Sequence, residues 1–141
     1  MIEVVNRQRH RKIDRKHWAG FAQKALGAIG RDQQGVTIAF VSNRRIRELN
    51  KRFRGLDQAT DVLSFPTAED PITGPADETL GDVAIAVEQA EEQARANSMA
   101  FELEIAQLIL HGLLHLCGYD HERDDGEMDR LELRLRRKLG I

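Results

Sequence analysis

Hydrophobic and polar residues alternate along the chain with two periods, one typical of strands and one typical of helices. Runs that are β-branched, or that alternate every second residue, predict four strands, over residues 1–6, 35–42, 61–65 and 80–87. Apolar residues three or four positions apart predict five helices, over about residues 14–29, 43–54, 88–97, 101–117 and 127–139. Proline and glycine among acidic residues predict a loop over residues 67–79. Because strands and helices interleave, we expect an α+β (α/β-type) fold, with a four-stranded, mostly mixed sheet packed with about five helices.

Length and composition describe a soluble globular protein. At 141 residues, with 41% hydrophobic and 31% charged residues, the chain predicts a single domain spanning residues 1–141. No apolar run approaches the roughly 18 residues that a membrane helix needs, and the N-terminal residues MIEVVNRQRHRK lack the apolar segment of a signal peptide. The one cysteine, Cys117, excludes an internal disulfide and is typical of a reducing compartment. These features predict a cytoplasmic protein without a membrane partner, and they leave its oligomeric state open.

The net charge of −2 conceals a strong separation of charge along the chain. Residues 1–54 carry 14 Lys/Arg and 4 Asp/Glu, residues 55–129 carry 2 and 18, and residues 130–141 carry 5 and 1. The basic segment could bind a phosphate backbone, or its cations could simply be solvated on helix faces. The acidic middle segment would repel nucleic acid unless a metal ion intervened. Charge alone leaves both interpretations open.

Three of the five histidines lie in the otherwise apolar stretch LILHGLLHLCGYDHERDD, residues 108–125. On the predicted helix, His111 and His115 are one turn apart on the same face, and Gly118 ends the helix so that the chain can reverse and bring in His121. Three neutral imidazoles with a fourth position open are typical of a catalytic zinc ion, which lowers the pKa of bound water to about 7. A histidine on an apolar face is often only a core residue, but this spacing favours a metal site at the end of a central helix. Nickel and copper suit three histidines as well.

The histidine spacing matches the zinc-peptidase motif H-E-x-x-H-x-x-G-x-x-H except at one position. Gly112 stands where such peptidases place the glutamate that acts as general base. A phosphodiester is therefore a better target than a peptide, because a metal ion and a nearby cation can neutralise the phosphate. A glycine inside a helix also costs about 1 kcal/mol relative to alanine, so we expect another segment to approach the backbone closely there.

Three segments of the chain resemble motifs of one known family. HGLLHLCGYDH (111–121) resembles H-G-x-L-H-L-x-G-Y-D-H, LNKRFRGLDQATDVLSFP (49–66) resembles L-N-x-x-[YF]-R-x-x-D-x-x-T-D-V-L-S-F-P, and LGDVAIA (80–86) resembles L-G-D-I-x-I-S. These are motifs of the YbeY family of metal-dependent endoribonucleases, and the three segments keep the family's order and spacing. Within them, Cys117 replaces a usual leucine and Ala86 replaces a common serine.

The resemblance implies a function and a set of site residues. It implies that His111, His115 and His121 bind one zinc ion and act in catalysis, and that Arg54 is a catalytic residue that binds the substrate phosphate. It implies cleavage of single-stranded RNA in ribosomal RNA processing, chiefly at the 3′ end of the small-subunit RNA, and in ribosome quality control. The implied partners are ribosomal RNA, the small ribosomal subunit and ribosome-associated proteins.

Several alternatives stay open at the level of sequence. The chain could be a zinc metallopeptidase with Asp120 as its base, or a non-catalytic ribosome-associated module whose metal only stabilises the fold. Asp120 could equally orient an imidazole or cap the turn that follows the helix. Tyr119 could stack on a base or pack in the core. We expect Cys117 to pack as a small hydrophobic residue, and Asp124 with the acids after it to start the last helix.

Overall fold

The computed structural model describes residues 1–67 and 79–141, and within them the chain forms four strands and five helices. Their order is β1 (Ile2–Arg7), α1 (Arg15–Ile29), β2 (Gly35–Val41), α2 (Asn43–Arg54), β3 (Val62–Pro66), β4 (Thr79–Ala86), α3 (Val87–Ala96), α4 (Phe101–Leu116) and α5 (Glu127–Leu139). The predicted strands and helices are all present, and their ends differ from the prediction by at most one residue. The loop predicted over 67–79 lies outside the described residues except at its two ends, of which Thr79 belongs to β4.

The four strands form one mixed sheet in the order β1-β2-β4-β3. β2 pairs in parallel with β1 and with β4, whereas β3 runs antiparallel to β4 at one edge of the sheet. β2 is largely buried on both faces, which explains why its sequence is almost continuously apolar. The mixed sheet and the five helices confirm the predicted α+β fold.

The sheet separates two hydrophobic clusters of unequal size. Alternate residues of β2 point to opposite faces, so that Ile38 and Phe40 join the larger cluster while Val41 joins the smaller one. The larger cluster includes side chains of α1, α4 and α5, and the smaller one includes Ile46 of α2. Eleven of the sixteen residues of α4 are buried, so the surrounding elements hold this helix firmly.

In the described parts of the chain no helix is by itself long and apolar enough to cross a membrane; α3 and α4 meet that test only as a pair bent by 116°.

Gly112 lets α4 lie close to the sheet. The hydroxyl of Ser64 in β3 donates a hydrogen bond to the carbonyl oxygen of Gly112 (3.0 Å). A Cβ at Gly112 would lie 2.7 Å from Cγ1 of Val83 in β4, which is closer than real Cβ atoms come to a neighbour. The close approach predicted from a glycine inside the helix is therefore confirmed. This close contact sets the distance between the sheet and the helical turns that carry His111 and His115.

Candidate metal centre

Three histidines meet at the carboxyl end of α4. His111 and His115 have their Nε2 atoms 3.1 Å apart and their ring centroids 4.6 Å apart. The helix ends at Leu116, and Gly118 adopts a φ of +95°, a left-handed conformation that lets the chain turn back. The ring centroid of His121, in this turn, lies 5.6 Å from that of His111 and 5.5 Å from that of His115. One ring nitrogen from each histidine lies within 4.8 Å of the other two.

The three nitrogens fit a single metal ion. Two histidine nitrogens about 2.0–2.1 Å from one tetrahedral ion are about 3.3 Å apart, close to the 3.1 Å between His111 and His115. Burial, and then the charge of His111, lower the pKa of His115, which favours the neutral ring that binds metals. Imidazoles suit zinc and its transition-metal neighbours, whereas magnesium and calcium prefer oxygen ligands. The predicted histidines are thus brought together as a group that could hold a metal ion.

A buried carboxylate contacts one of the rings from behind. Glu132 of α5 is 7% exposed, and its Oε1 lies 2.8 Å from Nδ1 of His111. Arg136, one turn further along α5, donates from Nη2 to Oε2 of the same carboxylate (2.7 Å). Burial raises the pKa of Glu132, but the hydrogen bond with His111 and the charge of Arg136 outweigh it and leave that pKa below its usual value. The ionised carboxylate accepts the Nδ1 proton, so Nε2 of His111 turns its lone pair toward the other histidines.

The three histidines line a cleft of about 850 Å³, and Arg54 lines the same cleft. Arg54 is the last residue of α2, and its side chain is exposed. It forms no ion pair with any residue that the structure describes, whereas Arg47 on the same helix is paired with Asp57 (2.8 Å). A guanidinium that forms no ion pair within residues 1–67 and 79–141, in a cleft with three histidines, is well suited to bind a phosphate.

Two acidic residues near the histidines form turns. Oδ1 of Asp120 accepts a hydrogen bond from the backbone N–H of Glu122 (3.0 Å), so this carboxylate caps the turn, and within the described residues it forms no hydrogen bond with an imidazole. Asp124 accepts hydrogen bonds from the N–H groups of Gly126 and Met128 and thereby starts α5, as predicted.

Cys117 and Tyr119 pack against the larger hydrophobic cluster. Cys117 is half-buried, and burial raises the pKa of its thiol, which keeps the sulfur protonated. Among the described residues, the group that could hold a metal consists of histidines without this cysteine. Both residues therefore take the packing role that the sequence allowed for them.

Glu132 was not among the predicted site residues, although its position in the sequence carried one signal. Glu132 lies four residues after Met128 and three before Leu135, which are both buried, so it occupies the apolar face of α5. An acidic residue on such a face needs a partner, because an unpaired buried carboxylate is costly. The partner, His111, is 21 residues earlier in the chain, and no local pattern identifies it.

Comparison with known proteins gives a consistent result. The family model described as Endoribonuclease YbeY matches residues 3–140. The protein named Endoribonuclease YbeY from Anaeromyxobacter sp. (strain Fw109-5) is 48% identical over 118 residues, which cover 82% of this chain and 60% of that relative. The protein of the same name from Alkaliphilus metalliredigens (strain QYMF) is 38% identical over 148 residues, covering 99% of this chain and 96% of the relative. The chain thus spans about three fifths of the first relative and nearly all of the second.

A solved structure resembles the whole chain. The solution structure of TM1509 from Thermotoga maritima has a TM-score of 0.66 and 30% sequence identity, covering 99% of this chain and 89% of that one. The family model, the relatives and the fold agree with the motifs quoted above. The chain therefore belongs to the Endoribonuclease YbeY family.

Proposed function

We propose that residues 1–141 form one metal-dependent endoribonuclease domain that cleaves single-stranded RNA. The observation that carries this proposal is the presence of three histidine nitrogens, within 4.8 Å of one another, in one cleft with Arg54. The relatives named Endoribonuclease YbeY support the same reaction. His111, His115 and His121 would hold one zinc ion, and Arg54 would bind the substrate phosphate.

The side chains of the cleft have complementary parts in this reaction. When bound, the ion supplies a Lewis acid for the scissile phosphodiester and for water. Arg54 donates two N–H groups to the phosphate oxygens and neutralises the negative charge that grows as the P–O bond breaks. Glu132 holds the proton on Nδ1 of His111, which keeps that ring in one tautomer and one orientation. Leu113 and Leu114, both fully buried, exclude water from the interior side of the helix.

Two features weigh against peptide hydrolysis. A glutamate cannot replace Gly112 without moving α4, because its Cβ would lie 2.7 Å from Cγ1 of Val83. Asp120, the other candidate base, is engaged at Oδ1 by the N–H of Glu122, and its Oδ2 lies 3.4 Å from Nε of Arg123. A phosphodiester asks less of a protein base, because cations can stabilise much of the charge that develops.

The substrate and setting that we propose are ribosomal RNA and ribosome maturation. The family motifs support cleavage near the 3′ end of the small-subunit RNA and a part in ribosome quality control. The twelve residues of α2 include six Lys/Arg and one Glu, a charge suited to a phosphate backbone. We propose the small ribosomal subunit and ribosome-associated proteins as partners, and the cytoplasm as the compartment.

The test compares RNA cleavage with metal content in matched proteins. Purified protein is analysed for zinc, nickel and copper, and then incubated with a single-stranded RNA carrying the small-subunit 3′ end. The assay is repeated after chelation, after zinc is restored, and with His111→Ala. His17→Ala, which removes an exposed histidine of α1, is the matched control.

Each outcome decides between the candidate functions. We expect cleavage by the wild type, by His17→Ala and by the zinc-restored protein, and none by chelated protein or by His111→Ala. Equal cleavage by His111→Ala would contradict the proposal and indicate a contaminating nuclease. Ribosome binding without cleavage, together with a lower melting temperature after chelation, would favour a non-catalytic module with a structural metal.

A further inference from the structure

Two exposed apolar side chains lie next to Arg54 in the sequence. Among the described residues, the large hydrophobic side chains that are exposed are Met1, Phe53, Leu56 and Leu133. Phe53 is 57% exposed and Leu56 is 41% exposed, at the end of α2 and in the loop that follows it. Exposed apolar side chains beside a residue proposed to bind phosphate can mark a surface that is covered when a ligand binds.

The ring of Phe53 is held in position by its neighbours. Its centroid lies 5.1 Å from that of Phe65 in β3, and the two rings meet edge to face at 65°. The guanidinium carbon of Arg52 lies 5.4 Å from the centroid of Phe53. These contacts restrain the ring, with the cation over one face, while the 57% exposure of Phe53 leaves much of its remaining surface accessible.

This aromatic pair lies beside the cleft. Arg54, which follows Phe53, lines the cleft, and so do Ser64 and Pro66, which flank Phe65 in β3. β3 is an edge strand, and its side chains alternate between the two faces of the sheet. Ser64 therefore faces α4 and the histidines, whereas Phe65 and Phe53 lie around the edge on the side of α2.

The chemistry around Phe53 favours an unpaired base as the occupant. A phosphate contact at Arg54 would bring the adjoining nucleotide within reach of Phe53, and a base can stack on an aromatic face whatever its sequence. Cations flank the ring on both sides in the sequence, at Arg52 and Arg54, and α2 is strongly basic. A hydrophobic protein partner would have to cover these cations without neutralising them, whereas RNA neutralises them with its phosphates.

We propose that Phe53 is a stacking subsite for an unpaired base of the RNA, next to the phosphate bound by Arg54. Phe65 supports the ring, and Arg52 flanks it. The subsite rests on the proposed endoribonuclease function, and it adds a reason for selectivity toward single strands. A base inside a duplex is stacked on its own neighbours and cannot offer its face to Phe53.

The test measures binding and cleavage of short RNAs by Phe53 variants. Phe53→Ala and Phe53→Trp are compared with the wild type, and Leu133→Ala is the control because it removes an exposed apolar side chain from α5. Affinity is measured with single-stranded RNAs that carry 2-aminopurine, a fluorescent base, at successive positions. A second set of RNAs lacks one base at each of the same positions. Metal content and melting temperature are recorded for every protein.

We expect Phe53→Ala to lower the affinity for single-stranded RNA by about 5- to 150-fold, the range for loss of one base stack. Phe53→Trp and Leu133→Ala should bind as the wild type does. Quenching of 2-aminopurine should occur at one position in the wild type and disappear in Phe53→Ala. RNA lacking the base at that position should bind to wild type and Phe53→Ala with equal affinity.

Other outcomes would overturn the subsite. If the wild type cleaves RNA and Phe53→Ala binds equally well, the stacking proposal is wrong while the endoribonuclease function stands. If Phe53→Ala lowers the affinity equally for every RNA that lacks one base, Phe53 has a structural role. The same conclusion follows if Phe53→Ala loses its metal or melts at a lower temperature. If Phe53→Ala keeps full affinity for RNA but no longer binds ribosomal proteins, the surface around Phe53 is a protein-binding surface. Failure of the metal-loaded wild type to bind or cleave any RNA would reject the proposed function together with the subsite.

Discussion

The two sides of the cleft are built in different ways. On the α4–α5 side, His111 contacts the buried Glu132 at 2.8 Å, and Arg136 binds the other oxygen of that carboxylate at 2.7 Å. On the α2–β3 side, Arg54 and Phe53 are exposed and project from the end of a helix. The first side is organised before any ligand arrives, and the second presents groups that a ligand would cover.

This difference follows from the cost of burying polar groups. A carboxylate or an imidazole in the interior must find a partner, because an unpaired neutral polar group there costs about 2–7 kcal/mol and an unpaired ionised carboxylate costs far more. The same partners fix its orientation, which is the condition for binding a metal at defined distances. An exposed arginine keeps its water shell and its rotamer freedom, and it becomes ordered only when it meets a phosphate.

Removal of a histidine should produce the largest effect, because it breaks the organised side outright. His115→Ala leaves two of the three nitrogens, so the protein should no longer retain its metal, and RNA cleavage should fall to the level of chelated wild type. Metal is measured by mass spectrometry of the purified protein, beside a cleavage assay. A His115→Ala protein with one metal per chain would contradict the assignment of His115.

Changes at Arg54 should test the exposed side without disturbing the metal. Arg54→Ala is expected to lower the rate constant for cleavage by about 10²- to 10³-fold, the usual loss when one donor to a developing charge is removed. Arg54→Lys should recover part of this loss, since lysine keeps the charge but cannot make two parallel hydrogen bonds.

The control for Arg54 is Arg44→Ala, at the other end of α2, where the side chain is 91% exposed and lies 3.7 Å from Glu48. Single-turnover cleavage and metal content are measured for the three variants. If Arg44→Ala slows cleavage as much as Arg54→Ala does, the effect is one of overall charge and Arg54 has no specific place in the cleft.

Glu132→Gln should weaken the organised side to a smaller degree. Glutamine keeps the shape of the side chain but loses the charge that holds the Nδ1 proton of His111, so metal affinity should fall by about 10- to 100-fold. Titration against a competing chelator measures this affinity directly. Asp129→Asn, an exposed acid on the same helix, is the control. Equal metal affinities in wild type and Glu132→Gln would indicate that the contact only helps α5 to pack.

The smallest expected effect concerns Glu104, which lies behind the histidines on α4 and is 7% exposed. Burial, and then the charge of Asp61, raise the pKa of Glu104 above its usual value of 4.5. The folded protein therefore binds this proton more tightly than the unfolded chain does. The contribution of Glu104 to the free energy of unfolding is present in full below about pH 4.5, and it is lost as the pH rises through the raised pKa.

Glu104→Gln should accordingly stabilise the protein at about pH 7, and this gain should vanish near pH 4. Thermal melts between these two pH values measure it. Glu102→Gln serves as control, because the Glu102 side chain is 68% exposed in the same helical turn. A gain of equal size at every pH would show that the ionisation of Glu104 is not its cause.

Much of the site could be predicted from the sequence because it depends on neighbours in the chain. The spacing of His111 and His115 places them on one face of a helix wherever that helix lies. Gly118 itself adopts the left-handed conformation, with a φ of +95°, that ends the helical segment and turns the chain toward His121. The bounds of α2 and α5 follow in the same way, from the repeat of their apolar positions.

The partners of these residues could not be predicted in the same way. Glu132 reaches His111 only because α5 packs against α4, and Arg54 joins the histidines although it precedes His111 by 57 residues. Gly112 indicated that something approaches the helix, but not that Val83 and Ser64 do so. Such contacts depend on how whole elements pack, and many sequences with the same local pattern could pack differently.

By itself, the sequence determined the strands and helices, the mixed α+β fold and the three histidines as a group, because helical periodicity and backbone conformation act over a few residues. The family motif named Arg54, and the tertiary structure placed it in the cleft with the histidines. The tertiary structure alone decided which carboxylate stands behind His111 and which aromatic ring lies beside the cleft. These outcomes depend on packing between elements distant in the chain, where burial forces polar groups to find partners and leaves others free to meet a ligand.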